Sequence, residues 1–310
     1  MKIGVIGAGY WGKKHVDEYS KLGYEVIVSD LSEQSLEFCK LNYNSKGTTN
    51  YNDILNDPEI NCVSICTPTP SHYKIAIDAL NANKNILLEK PIAENLHQAS
   101  ELIRNASDKK LTLLIGHIFR FNNSVNKIKN LIQKQILGEI YSVNLRWSNF
   151  QPVYSDRDII YDLGVHPIDI LDNIFEIEPS DVSCKAASYR QKNFEVAQVS
   201  YNLKKVNTKP ILVNIELSWL NPIRERKLII TGSVKTAEID CVKQKINIIH
   251  NNSASAEEIQ LESNNTLKDE LEFFLSSSKN KASILSPFPN GEIGKRILGI
   301  VETAFKLANK

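Results

Sequence analysis

The sequence has almost no excess of charge: 37 Lys and Arg face 36 Asp and Glu, for a formal net charge of +1. A chain so balanced offers no basic stripe for tracking a nucleic-acid backbone and no polybasic membrane anchor. It also lacks an apolar run near the roughly 18–20 residues that a bilayer-spanning helix needs. The opening residues, Met-Lys-Ile-Gly-Val-Ile-Gly, contain no long apolar secretory segment and read directly as a strand, so a cytoplasmic location is expected. Cysteine is scarce. Cys39, Cys62, Cys66, Cys184 and Cys241 form no C-x-x-C pair and are odd in number, which argues for reduced thiols rather than a disulfide framework or zinc site. His15, His97, His117 and His250 match no ligand spacing such as H-E-x-x-H, so no metal is expected. Secreted, membrane-spanning and nucleic-acid-binding classes are set aside on these grounds.

What is present is a soluble-type chain of 310 residues, 42% hydrophobic and 24% charged, long enough for about two domains. Up to about residue 115, short apolar strands alternate with helical periodicity. Strands are predicted at Lys2–Ile6, Glu25–Ser29, Cys62–Cys66, Asn85–Leu88 and Leu111–Ile115, and helices over 11–22, 33–42, 71–82 and 94–107. This alternation predicts a doubly wound parallel sheet. Beyond it, long β-patterned segments follow one another: Ile140–Phe150, Asp181–Tyr189, Glu195–Leu203, Ile211–Leu220 and Lys227–Thr231. Helices are predicted near 123–135, 159–175, 266–278 and 291–309, and the polar stretch Asn251–Glu257 reads as an exposed loop. The fold class is therefore α/β: a Rossmann domain over 1–118, then an α+β domain over 119–310 with a large, mostly antiparallel open sheet.

Gly7-Ala8-Gly9-Tyr10-Trp11-Gly12 matches G-x-G-x-x-G. The string alone is weak, but here it follows a predicted strand and opens a predicted helix, the context that dinucleotide binding requires. Gly7 permits the tight turn, Gly9 lets a pyrophosphate approach the backbone, and Gly12 lets helix and strand pack closely. The N–H groups of Tyr10 and Trp11 then face an anion at the helix N-terminus. Asp30 ends the second strand, 18 residues after Gly12, where its carboxylate accepts from ribose hydroxyls and repels a 2′-phosphate. NAD is therefore expected in preference to NADP. The plain alternative is a glycine turn beside an ordinary surface aspartate.

Further along come Thr67-Pro68-Thr69-Pro70-Ser71-His72, Ala76 with Ala79-Leu80, Glu89-Lys90-Pro91, Gly116-His117 with Arg120-Phe121, and Asp162-Leu163-Gly164-Val165-His166-Pro167-Ile168-Asp169. On these motifs the whole chain resembles the Gfo/Idh/MocA family of nicotinamide-dependent sugar and polyol oxidoreductases. The resemblance implies a two-domain enzyme, commonly a homodimer or homotetramer through the C-terminal sheet. It implies that Lys90 is the active-site lysine and that Asp162 and His166 form the acid/base region. It also implies that Thr67, Pro68, His72 and Glu89, with Lys90, line the nicotinamide half of the cofactor site. One departure stands out: family members often carry a glycine pair shortly before that aspartate, and here the stretch is Asp158-Ile159-Ile160-Tyr161.

The residue chemistry agrees on its own terms. Lys90 directly follows a strand, so it projects to the carboxyl end of the sheet, where ligands bind. Oxidising a secondary alcohol needs a hydride acceptor and a base for the hydroxyl proton, and histidine titrates nearest neutrality. An ammonium beside the alcohol oxygen stabilises developing alkoxide. Asp162 and His166, four apart, share a face if the segment is helical, although Pro167 restricts where such a helix begins. The bland readings are a solvated loop lysine, a helix-capping aspartate, and two histidines that merely start helices. Asp169 reads as a structural cap or pair; Trp147 and Trp219 read as packing residues. Arg120, Arg146, Asn149, Arg157 and Arg224 are within the range of residue types that meet a phosphate, with surface solvation as the plain reading. The stretch from Trp147 to His166 looks most like members acting on nucleotide sugars, which implies oxidation of a UDP-hexosamine 3-hydroxyl. Free polyols such as inositol, an NAD-dependent glycosidase and a non-catalytic NAD-binding regulator are the alternatives.

Overall fold

The computed structural model describes residues 1–153, 157–204, 208–253, 255–280 and 288–309. They form two compact units: Met1–Ile118 with Leu267–Leu298, and Phe119–Thr266 with Gly299–Lys310.

In the first unit, β1 (Lys2–Ile6) is followed by α1 (Tyr10–Lys21), β2 (Glu25–Ser29), α2 (Glu33–Tyr43), β3 (Lys46–Thr48) and α3 (Tyr51–Asn56). Then come β4 (Ile60–Ile65), α4 (Thr69–Asn81), β5 (Asn85–Leu88), α5 (Leu96–Asp108) and β6 (Leu113–Ile115). All six strands are parallel, in the order β3-β2-β1-β4-β5-β6. Helices on both faces bury the central strands completely, which is why they read as continuous apolar runs: Ile3, Val5, Val63, Ile65, Ile86 and Leu88 are fully buried. The strand order reverses between β1 and β4, so their carboxyl ends open a crevice at Gly7 and Cys66, the topological position where this architecture binds ligands. The sequence pattern misses β3 and α3. β3 is Lys-Gly-Thr, too short for periodicity, and it forms because its backbone pairs with β2; α3 is a six-residue helix whose start is capped by Asn50.

The second unit begins with a 3₁₀ turn, Ile118–Phe121, whose first residue still belongs to the first unit. It continues with α6 (Asn123–Gln133), β7 (Ile140–Ser148), a π turn over Ile160–Gly164 and α7 (Val165–Phe175). Seven strands follow: β8 (Pro179–Ala187), β9 (Val196–Leu203), β10 (Ile211–Ser218), β11 (Glu225–Gly232), β12 (Lys235–Asp240), β13 (Lys245–His250) and β14 (Ala256–Ile259). The sheet order is β14-β13-β12-β11-β7-β10-β9-β8, antiparallel except where β7 and β10 run parallel. Alternation is strict: Val143, Leu145 and Trp147 of β7 and Leu228 and Ile230 of β11 lie on the buried face, while Asn144, Arg146, Lys227 and Ile229 lie on the open one. The open face holds a concavity of about 500 Å³ lined mostly by polar and charged residues, with Ile229 among them.

Two expectations are corrected. The stretch 251–257 is not wholly an exposed loop: Ala256 and Glu257 already belong to β14, which pairs with β13, and their exposed side chains on an edge strand hide the pairing from the sequence pattern. The segment 267–298 does not join the second domain. From α8 (Thr266–Asn280), Leu271, Phe274 and Leu275 enter the apolar core of Val16, Tyr19 and Val26 in the first unit. Helical periodicity shows that a helix has an apolar face, not which domain covers it. The final helix, α9 (Gly291–Ala308), contains the division between units at Leu298 and Gly299. No described helix is long and apolar enough to cross a membrane.

Candidate active site

In the first unit the glycine loop fits a dinucleotide. Gly7 has φ +95°, and a Cβ there would lie 2.8 Å from the backbone of Cys66. At Gly12 a Cβ would meet the Gly7 carbonyl oxygen at 1.8 Å, so any side chain drives α1 off β1. Gly9 has the opposite surroundings: a Cβ meets nothing within 4 Å, which leaves open space above the backbone. The N-terminus of α1 has no side-chain cap and no acidic residue in its first turn, so the amides of Tyr10 and Trp11 remain available to an anion.

Asp30 ties this loop to the end of β2. Its Oδ2 accepts from the Ala8 N–H at 2.6 Å and its Oδ1 from the Ser32 N–H at 2.8 Å. A carboxylate has about four acceptor positions, so both oxygens retain capacity for ribose hydroxyls. The β4–α4 and β5–α5 loops are joined by His72. This histidine is buried, and its ring nitrogens lie 2.8 Å from the Thr67 carbonyl oxygen and 2.9 Å from the Pro91 carbonyl oxygen. Burial pushes its pKa down, against the opposing pull of the two carbonyls. The resemblance puts His72 among the residues lining the nicotinamide half of the cofactor site; in the structure its ring nitrogens hold two loops in register. Thr67 adds a hydroxyl that accepts from Ser71 at 2.8 Å, and Pro68 is the N-cap residue of α4.

Glu89 follows β5 and is buried. His15 donates to its Oε1 from Nε2 at 3.3 Å, and the Lys90 N–H donates to its Oε2 at 3.2 Å. Gly116 packs against this carboxylate, where a Cβ would lie 3.1 Å away. Lys90 is half-buried at the carboxyl end of β5 and joins Pro91 through a cis peptide bond. His15 thus emerges as a support that no spacing rule identifies, since it reaches Glu89 across 74 residues.

In the second unit the π turn carries Asp162 and the first turn of α7 carries His166, so the helical condition for a shared segment is met. A π turn is uncommon and tends to occur at functional positions. Pro167, near the start of α7, needs no N–H partner there. The segment that departs from the glycine pair is anchored by side chains. Asp158 opens the segment by accepting from the N–H groups of Ile160 at 2.9 Å and Phe194 at 3.0 Å, while Ile159 and Ile160 are fully buried. Burial pushes the Asp158 carboxyl up in pKa, opposed by those two N–H groups.

His166 packs on aromatic rings: its centroid is 6.3 Å from Trp147 in a stacked arrangement and 5.4 Å from Phe119, edge-on. Trp147, expected as packing, is fully buried and is also the surface on which the imidazole rests. Trp219 is likewise fully buried.

Of the arginines singled out in the sequence, Arg120 is neither a solvated nor a phosphate-facing residue. It is buried and donates from Nε to Asp169 at 2.6 Å and from Nη2 to Asp172 at 2.5 Å, fixing the 3₁₀ turn to α7. Arg146 projects from the open face of the sheet, 3.0 Å from Glu216. Asn149 accepts from Arg226, which sequence reasoning missed. Its position on the buried face, in alternation with Leu228 and Ile230, was the available signal.

Residues 1–117 match the oxidoreductase family model GFO/IDH/MocA, NAD-binding Rossmann fold, and residues 125–238 match the GFO/IDH/MocA C-terminal domain. The chain belongs to this family. It is an NAD-binding oxidoreductase with a Rossmann domain and a second, mostly antiparallel sheet. Across 306 residues, 96% of this chain and 94% of its relative, it is 25% identical to UDP-N-acetylglucosamine 3-dehydrogenase from Acidithiobacillus ferrooxidans. A solved structure of that dehydrogenase matches with a TM-score of 0.85 at 25% identity, covering 99% of this chain and 97% of the other. Inositol 2-dehydrogenase from Salmonella typhimurium is 28% identical over 181 residues, which spans 55% of this chain and about half, 53%, of that relative. Gfo/Idh/MocA members thus include enzymes acting on both substrate classes that the motifs suggest.

Proposed function

We propose that this Gfo/Idh/MocA protein is an NAD-dependent dehydrogenase of a nucleotide sugar, oxidising the 3-hydroxyl of a UDP-hexosamine. The observation that carries the reading is the helical segment bearing Asp162 and His166 against Trp147, in a chain whose full-length relative is a UDP-N-acetylglucosamine 3-dehydrogenase. NAD would supply the acceptor for a hydride from the carbinol carbon. Gly7, Gly9, Tyr10, Trp11 and Gly12 would hold its pyrophosphate and Asp30 its ribose, with Thr67, Pro68, Glu89 and Lys90 toward the nicotinamide. Asp30 carries a charge that disfavours a 2′-phosphate, which supports NAD over NADP. His166 takes the hydroxyl proton, Asp162 holds the imidazole or the ammonium in place, and the Lys90 ammonium stabilises the developing alkoxide.

The free-polyol reading stands second, supported by the half-length likeness to inositol 2-dehydrogenase. We further propose self-association through the open face of the second sheet. Leu212 and Ile229 are exposed there, 52% and 43%, beside the polar concavity.

The test is the near-ultraviolet absorbance of reduced nicotinamide, with NAD or NADP and a panel of UDP-hexosamines, UDP-uronates and free polyols. NAD reduction with a UDP-hexosamine is the expected result. Reduction with polyols alone transfers the assignment to the second reading.

A further inference from the structure

The described arginines of the second unit differ in what they bind. Arg120, Arg146 and Arg190 each donate to a carboxylate at 3.0 Å or less. Arg226 donates to none. Its Nη1 donates to the carbonyl oxygens of Ser148 and Glu225, each at 2.8 Å, and its Nη2 to the amide oxygen of Asn149 at 2.6 Å. A guanidinium has five N–H donors, so Nε–H and one Nη2–H remain without an acceptor among the described residues.

The charge sits where β-sheet alternation normally puts a hydrophobic residue. Arg226 occupies the buried-face register of β11, directly opposite Trp147 on β7, with its Cζ 5.1 Å from the indole centroid. Burial pushes its pKa down to about 10, and the neighbouring Arg224 pushes in the same direction; Asp162 opposes them. Two adjacent arginines, one of them desolvated and without a bonded carboxylate, are a costly arrangement that a bound anion relieves. Arg224 is exposed and makes no ion pair among the described residues. The same indole that Arg226 covers also stacks on His166. An anion at Arg226 is therefore one aromatic ring from the group that the proposed reaction uses as its base.

We propose that Arg226, assisted by Arg224 and oriented by Asn149, binds an oxyanion of the substrate, either a phosphoryl group of a sugar nucleotide or the carboxylate of a sugar acid. The assignment rests on the dehydrogenase reading for its place beside His166, and it deepens that reading by naming the residue that selects anionic substrates. The structural alternative is that Arg226 only braces Trp147 and Asn149.

The experiment is calorimetric binding to the full chain, saturated with NADH, of four probes: a UDP-hexosamine, the corresponding free hexosamine, a UDP-uronate and a free uronate. Wild type is compared with Arg226→Gln, Arg226→Lys and Arg224→Gln. For whichever anionic probe binds, Arg226→Gln is expected to weaken affinity tenfold or more, with Arg226→Lys recovering part of it. Arg224→Gln is expected to weaken it two- to fivefold at an unchanged melting temperature, and NADH affinity holds in all variants that fold. Binding by Arg226→Gln within twofold of wild type, for every anionic probe that wild type binds, overturns the assignment. If Arg226→Gln does not fold, undiminished binding by both Arg226→Lys and Arg224→Gln overturns it equally. The two proposals fail separately. A free uronate bound through Arg226 with no nucleotide sugar bound removes the nucleotide-sugar reading and keeps this one. Preference for the free hexosamine, which carries no anionic group, removes this one whatever the enzyme oxidises.

Discussion

The two units build their functional surfaces from different materials. In the first, the groups available to a ligand are mostly main chain: amides at the start of α1, open space over Gly9, and a crevice set by the strand order. In the second the proposed groups are side chains from separate elements, Asp162 from the π turn, His166 from α7 and Arg226 from β11, with buried Trp147 of β7 packed against the last two. A backbone site constrains sequence locally, because only glycine fits certain positions. A side-chain site constrains sequence only through tertiary contacts that span many residues. The first kind is found by reading a few residues in a row; the second appears when the sheet is folded.

The largest effect expected from breaking this contrast lies in the glycines. Gly12→Ala forces a methyl into the Gly7 carbonyl and should cost at least about 3 kcal/mol, at or beyond the upper end of ordinary overpacking. Chemical denaturation and NADH fluorescence titration should show loss of both stability and binding. Gly9→Ala, facing open space, should keep the wild-type melting temperature and weaken only cofactor binding. Equal melting losses in the two variants contradict the separation of roles.

On the side-chain side, His166→Asn should lower turnover about 100- to 10,000-fold if the imidazole is the general base. NADH affinity, governed by the other unit, should remain. Near-normal turnover across pH removes His166 from proton transfer. A third variant sharpens the distinction between site and scaffold. Arg120→Met leaves Asp169 and Asp172 buried without their cation and should destabilise by about 3–5 kcal/mol, read by urea denaturation.

The smallest expected effect is a pH-dependent one. Burial pushes the Glu195 carboxyl up in pKa, but the N–H groups of Tyr189 and Arg190 and the Arg190 guanidinium outweigh it and hold the group below its ordinary value. A depressed carboxylate stabilises the fold above its unfolded pKa, about 4.3, and the contribution is lost as pH falls through the lower folded value. Glu195→Gln should therefore melt earlier than wild type at neutral pH, with the gap closing under acid. A gap that is constant with pH would show that the charge is not what matters.

The parallel sheet, the glycine loop and the divide between an alternating half and a β-rich half were legible because each rests on local periodicity or on a backbone requirement. The destination of α8 was not, since its apolar Leu271 and Phe274 fit either core equally well as a pattern. Nor was β14, whose exposed polar residues join the sheet edge by main-chain pairing with β13. His72 and Arg120 were visible as residues but not as roles: one closes two loops through ring nitrogens, and the other is defined by two aspartates about 50 positions away. Arg226 was hidden by its neighbours. Between charged Glu225 and Lys227 it reads as one of a solvated run; the alternation with Leu228 and Ile230 is the faint signal that it faces inward, and the register opposite Trp147 makes it plain.

The most direct measurement of the central claim follows the hydrogen itself. A UDP-hexosamine carrying deuterium at carbon 3 is incubated with the enzyme and NAD, and the reduced cofactor is analysed by mass spectrometry. Transfer of one deuterium into NADH is the predicted result. Unlabelled NADH, or no reduction of NAD by this substrate while a free polyol reduces it, contradicts the account.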